Sequence, residues 1–230
     1  METIAQALQQ VMQRIAVASA AAGRPAGAVA LLAVSKTQPA EAVRAAHAAG
    51  QRAFGENYVQ EALAKIEALA DLRPRLEWHL IGPLQGNKTR AVAEAFDWVH
   101  SVDRLKVAQR LAEQRPAGLP PLNLCLQVNV SGEASKSGVE PIELQALAAA
   151  VAALPRERVR LRGLMAIPEP ATGDKAQRRP HRALREMLAA LNSTGLALDT
   201  LSMGMSADLE AAVAEGATVV RIGTAIFGRR

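Results

Sequence analysis

The sequence has 230 residues, 50% hydrophobic and 21% charged, with 27 Lys and Arg against 22 Asp and Glu for a net charge of +5. Such a chain can bury a large core, and its composition excludes disorder; with aromatics at 3% and the basic excess spread as single arginines, it carries no nucleic-acid footprint. One cysteine, Cys125, excludes an internal disulfide framework and points to a reducing, cytoplasmic setting, while His47, His79, His100 and His181 lack metal-ligand spacing and no apolar stretch is long enough to cross a bilayer.

The opening stretch "METIAQALQQVMQRIAVASAAAG" has polar residues throughout and a helical period, which predicts an amphipathic helix rather than a leader. From there the pattern alternates. An unbroken apolar run over 28–34 predicts a strand, 29–36, buried on both faces. Pro39 and Gly50 suit the two ends of a helix over 39–49. Further strands are predicted at 52–57, 76–82, 98–102, 122–130, 159–167, 200–206 and 218–227, with helices at 58–72, 88–95, 105–113, 141–154, 181–192 and 207–215. The segment 168–180, "PEPATGDKAQRRP", is rich in turn formers and charge and is expected as a mobile loop above the sixth strand. Eight strands, each of the first seven followed by a helix, predict a parallel sheet closed as a (β/α)8 TIM barrel, with residues 1–230 as one domain and an extra helix in front. An open doubly wound sheet is the alternative, but no G-x-G-x-x-G follows the first strand.

Lys36 closes the first strand. Most strand-end lysines point to water. In a barrel of this kind, however, chemistry sits where the strands end. Asn57, His79, Gly82, Asn129 and Met165 are expected on the same face. Ser206 precedes a helical run, where it would serve as a simple N-cap. Gly223 and Thr224 interrupt an apolar strand, as a turn or bulge would. Arg221, two residues before Gly223, leaves on the same side of its strand. Loops after the seventh and eighth strands commonly bind phosphate, and a glycine beside Ser and Thr hydroxyls is what such a site needs. An amine facing a phosphate place describes a ligand with a phosphate at one end and a carbonyl at the other. Pyridoxal 5'-phosphate fits that description. A cofactor-free, aldolase-like barrel using Lys36, and a barrel serving only as a scaffold, are the competing readings.

The stretches "LLAVSKTQP", "FGENYVQEAL", "EWHLIGPLQGNKTR", "LQVNVSGEASKSG", "RGLMAIP", "LSMGMSADLEAAV" and "VRIGTAIFGRR" together resemble the pyridoxal phosphate homeostasis protein family, also called the YggS/PROSC family. The resemblance runs from the opening helix to the last residue. It implies the alanine racemase type of barrel, fold type III among pyridoxal-phosphate proteins. It implies Lys36 as the residue holding the cofactor as an internal aldimine, Arg221 facing the pyridine nitrogen, and Ser206, Gly223 and Thr224 on the phosphate. Asn57 and Met203 are implied near the ring. The function implied is intracellular carriage or buffering of the cofactor by a monomer, without established catalysis, with pyridoxal-phosphate-dependent apo-enzymes as recipients. The alternative is a slow amino-acid racemase. Racemases of this fold type have a β-rich second domain and a catalytic tyrosine supplied across a dimer. Here the chain is expected to stop at the barrel, and its one tyrosine, Tyr58, begins the second barrel helix. An arginine at the ring nitrogen also makes a poorer electron sink than an acid. Gln38 stands where some relatives have a second lysine, and Arg229 and Arg230 where some end in a lysine pair; Lys136 is left as either a transfer point or a surface lysine.

Overall fold

Apolar runs too short to be helices become strands, and the amphipathic segments between them lie over their outer faces. The computed structural model describes residues 2–131 and 137–228. Its strands are β1 (Ala30–Val34), β2 (Ala53–Glu56), β3 (Glu77–Leu80), β4 (Trp98–Val102), β5 (Leu122–Gln127), β6 (Val159–Met165), β7 (Thr200–Ser202) and β8 (Val219–Ile222). Each pairs in parallel with the next, and β8 pairs with β1 in a register that sets Leu32 against Arg221. The sheet is therefore a closed barrel with no free edge.

Around it run α2 (Ala40–Ala48), α3 (Val59–Ala68), α4 (Thr89–Ala95), α5 (Leu105–Gln114), α6 (Leu144–Ala152), α7 (Asp174–Ser193) and α8 (Leu209–Ala214). The opening helix α1 (Ile4–Ala21) starts at a capping box between Thr3 and Gln6, then buries Leu8, Val11, Ile15 and Ala18. It packs on α8, α2 and the short α9 (Thr224–Phe227). The larger hydrophobic cluster fills the space between sheet and helices, with Phe54, Trp78, Phe96 and Leu111 among its fully buried members. A separate small cluster joins Trp98, Cys125 and Met165. Burial pushes the Cys125 thiol up to about 12.

Several boundaries differ from the sequence-based expectation: β5 and β7 end early, at Gln127 and Ser202, and three further differences have identifiable causes. The eighth strand stops at Ile222; Gly223 ends it, and 224–227 turns into α9 instead of continuing as strand. The second barrel helix breaks at Leu69 and tightens into a 3-10 segment, Ala70–Arg75, that contains Pro74. The third difference is the largest. Residues 174–180, expected in a mobile loop, form the first two turns of α7. Pro180, the seventh residue of α7, removes one backbone donor and crowds the preceding turn, a cost of about 3 kcal/mol that other contacts must offset. Here the contact is Glu215. Its buried carboxylate takes Arg178, Arg182 and Arg185 at 2.7, 2.9 and 2.9 Å, three arginines from successive turns of α7.

The hydrogen bond from Arg182, reinforced by Arg178 and Arg185, outweighs burial and holds the Glu215 carboxyl at about 2. A carboxyl depressed on folding stabilises the fold above its unfolded pKa and loses that contribution as pH falls through the folded value. Glu215→Gln should therefore melt below the parent protein at neutral pH. The gap should stay constant down to about pH 5 and close between there and pH ~2, which thermal melts across that range would read.

Candidate functional site

Lys36 lies two residues beyond β1 and is half-buried. Its amine makes no hydrogen bond or ion pair among the described residues. The backbone on both sides of it is held. Before it, the Ser35 N–H donates to the Gly55 carbonyl at 3.0 Å, and the Ser35 hydroxyl donates to Glu56 Oε1 at 2.6 Å. After it, the Thr37 N–H donates to the Glu61 carboxylate and the Thr37 hydroxyl donates to the Lys36 carbonyl at 2.6 Å. Thr37 has a φ of 62°, an uncommon conformation for a β-branched residue, and strain of this kind costs about 1–3 kcal/mol.

One buried cation joins these supports. Lys65 Nζ lies 2.6 Å from Glu56, 2.7 Å from Glu61 and 2.6 Å from the Ser35 carbonyl. Glu56 is fully buried, and burial raises its carboxyl while the charge of Lys65 pulls it back. Removing the lysine would leave that carboxylate unpaired in the interior.

Across the end of the barrel, an open cavity of about 260 Å³ brings Lys36 together with Val34, Thr37, Gly223, Thr224 and Phe227. A Cβ on Gly223 would stand 3.0 Å from the Val34 carbonyl oxygen and 3.3 Å from the Val34 Cβ, so a side chain would crowd the seam between β1 and β8. The loop after β7 is its neighbour, since the Arg221 N–H donates to the Gly204 carbonyl at 3.0 Å. Gly204, at φ 94° and with Ala212 Cβ 2.5 Å from where its own Cβ would be, makes the sharp turn into that loop. Ser206 is not the cap of α8: the helix begins at Leu209, and Asp208 at the cap position accepts from the Met205 N–H at 2.7 Å. The hydroxyls of Ser206 and Thr224 are left without partners among the described residues. Asn57 Oδ1 is also buried and unbonded. Of these, the Thr224 hydroxyl lines the cavity that holds the Lys36 amine, and a hydroxyl and an amine together there suit a bound group that supplies a phosphate and a carbonyl. Met203 does not join them; it is wholly buried in the cluster between sheet and helices. Lys136, Arg229 and Arg230 lie outside the described residues.

Arg221 points into the barrel. Its Nη1 donates to the Ser202 carbonyl at 2.6 Å and to the Ser202 hydroxyl oxygen at 2.8 Å, and its Nη2 donates to the Ala166 carbonyl at 2.8 Å. Burial, opposed by the charge of Asp208, lowers its pKa to about 10. His100 Nδ1 is 2.8 Å from the same Ser202 hydroxyl. His100 is on β4 and Ser202 on β7, which are not neighbours, so the two meet through the lumen. His100 Nε2 is 2.9 Å from His79 Nδ1, and His79 Nε2 is 3.5 Å from Glu77 Oε1. The His79 ring stacks on Trp98, whose indole N–H also reaches Glu77.

The four histidines are scattered in the sequence, and His79 is expected there at the mouth. In the structure His79 and Met165 are buried, His79 in this chain and Met165 beside Trp98 and Cys125. The overlooked signal was a spacing of one strand–helix unit. His79 and His100 occupy consecutive strands, where side chains facing the lumen become neighbours.

Lys65→Met should lose about 3–5 kcal/mol in urea unfolding, and adding Glu56→Gln should restore part of it, because the abandoned carboxylate is what destabilises. A single variant within about 1 kcal/mol of the parent would mean the cation is not what secures the Lys36 segment.

The geometry agrees with known proteins. Residues 6–230 match the family model described as alanine racemase, N-terminal domain. The chain is 66% identical to the pyridoxal phosphate homeostasis protein of Pseudomonas aeruginosa, over 100% of this chain and 97% of that one. It is 55% identical to the protein of that name from Escherichia coli K12, over 100% and 98% of the two chains. Among solved structures, PipY of Synechococcus elongatus with pyridoxal phosphate bound superposes with a TM-score of 0.82 at 43% identity, covering 98% of this chain and all of that one. The lysine-bearing barrel described above thus belongs to the alanine racemase N-terminal domain family and, within it, to the pyridoxal phosphate homeostasis proteins.

Proposed function

We propose that this chain holds pyridoxal 5'-phosphate on Lys36 and carries or buffers it, without catalysing turnover. The observation that carries this reading is the Lys36 amine: half-buried, unpaired among the described residues, fixed through its backbone on both sides, and sharing a cavity with Gly223 and Thr224. The cofactor-bound relative and the names of the close relatives support it. Bound there, the cofactor supplies an aldehyde that a lysine amine can hold covalently and a phosphate that small polar residues can cradle.

The chain's own groups then divide the work. Lys36 is the anchor. Gly223 leaves room between β1 and β8, and the free hydroxyls of Thr224 and Ser206 are donors for phosphate oxygens. Arg221 presents donors toward the ring nitrogen. A guanidinium with its pKa at about 10 remains charged at neutral pH, so it hydrogen-bonds without handing over a proton. Asn57 offers the buried Oδ1 to a ring substituent. Met203 supports the loop after β7 from behind rather than touching the ligand. The only tyrosine, Tyr58, is 56% exposed at the start of α3, a poor position for a base sheltered over a ring. Residues 1–230 act as one unit, as a monomer in the cytoplasm, with pyridoxal-phosphate-dependent apo-enzymes as the recipients.

The purified protein loaded with the cofactor should be yellow, and borohydride followed by peptide mass mapping should fix the label on Lys36. Lys36→Ala should take up no colour. A colourless parent protein after loading would overturn the reading. Sustained racemisation of alanine or serine, well above the rate with free cofactor, would replace the carrier by a slow racemase.

A further inference from the structure

Helix α7 grips α8 at both ends. Glu215, just after α8, takes the three arginines already described. Asp208, just before it, takes His181, and one turn earlier on α7 Gln177 reaches the Ala207 carbonyl. We infer that His181 and Gln177 are positioning residues: they hold the turn Met205–Asp208 so that Ser206 is presented to the phosphate of the bound group. This rests on the proposed cofactor reading and deepens it.

Asp208 closes the turn twice. Its N–H donates to the Met205 carbonyl at 3.3 Å, and its Oδ1 accepts from the Met205 N–H at 2.7 Å. Its other oxygen, Oδ2, is 2.9 Å from His181 Nε2. Burial works against the charge on Asp208, but the hydrogen bonds from His181 and from the Met205 N–H outweigh it and hold the carboxyl below the usual range. The carboxylate can only accept, so the proton in this contact is on His181 Nε2, whatever the state of Nδ1. Gln177 Nε2 donates to the Ala207 carbonyl at 3.2 Å and to the Ala171 carbonyl at 3.0 Å. Met205, Ala207 and Asp208 are thus all tied. Ser206, between them, keeps its N–H and its hydroxyl without partners among the described residues.

Stability alone does not account for the histidine. Its ring is fully buried, yet its Nδ1 has no hydrogen-bond partner among the described residues. A buried nitrogen left unpaired costs free energy that an apolar ring of similar shape would not. What the imidazole provides and a phenyl ring cannot is a fixed orientation for Asp208. Gln177 and His181 are four residues apart and so share a face of α7. Gln177 lies in the turns that the Glu215 pairs keep helical in spite of Pro180.

The test compares pyridoxal 5'-phosphate with pyridoxal, which offers the same aldehyde and no phosphate. His181→Phe should release pyridoxal 5'-phosphate about ten-fold faster, the worth of one weakened hydrogen bond, and release pyridoxal at the parent rate. His181→Gln keeps a nitrogen donor near the Nε2 position and should release both at parent rates. Gln177→Leu should shift in the direction of His181→Phe, and it replaces that variant if the latter does not fold. Parent-like release of pyridoxal 5'-phosphate by the variant that breaks the contact, or equal acceleration of both ligands, would overturn the positioning role. Hydrogen exchange in the apo-protein reads the turn without any ligand. The Met205 amide should be protected in the parent and in His181→Gln, and exchange about ten-fold faster in His181→Phe. Unchanged exchange would mean that α7 does not hold the turn. If the parent protein takes up neither aldehyde, the cofactor reading fails while the exchange rates still decide the grip of α7 on the turn.

Discussion

The ammonium of Lys65 is the constraint on which the site depends. It comes from α3, passes beneath the end of β1, and touches the two acids that grip the residues on either side of Lys36. The arrangement separates two tasks that one side chain could not perform together. Lys36 must keep its amine unengaged, so it contributes nothing to its own placement. Lys65 is fully engaged, so it has no chemistry to offer. The buried charges are costly to dehydrate and are weak evidence for stability. Their worth lies in specifying one conformation for a short segment that includes a strained threonine.

The lumen follows a different rule from the rest of the interior. Outside the sheet, packing is mostly apolar, with the Lys65–Glu56 pair as an exception, and the helices could exchange one aliphatic residue for another at modest cost. Inside, Trp98, Cys125 and Met165 share the space with Arg221, Ser202 and two histidines. A charged guanidinium there is met by carbonyls and a hydroxyl rather than by a carboxylate. That is sufficient because the hydroxyl is part of a longer hydrogen-bonded series, and series of this kind polarise along their length.

The barrel was readable because its periodic signals are long and repeated. Eight apolar runs separated by helical segments admit few arrangements, and every strand expected from the sequence has a counterpart. The ends of elements were harder. Local composition marked 168–180 as a loop, yet its second half is helix because Glu215, far along the chain, holds three arginines there. The site divided in the same way. Lys36, Gly223 and Thr224 could be placed from their positions at strand ends, and the structure puts them around one cavity. The Lys65 bridge and the histidine pair could not, because each joins residues whose closeness depends on sheet register and helix packing. Met203, expected near the ring, lies one residue past Ser202 and packs in the larger hydrophobic cluster.

Cys125 gives the fold a further property. Thiols add readily to aldehydes, and a reactive one near the mouth would compete with the amine for the same carbonyl carbon. The sole sulfhydryl of this chain is instead enclosed in the lumen and held protonated, with its pKa near 12. It is a nucleophile in name only. The barrel thus achieves chemoselectivity by concealment, leaving an oxygen-sensitive side chain inert while the lysine nitrogen at the mouth stays open to reaction.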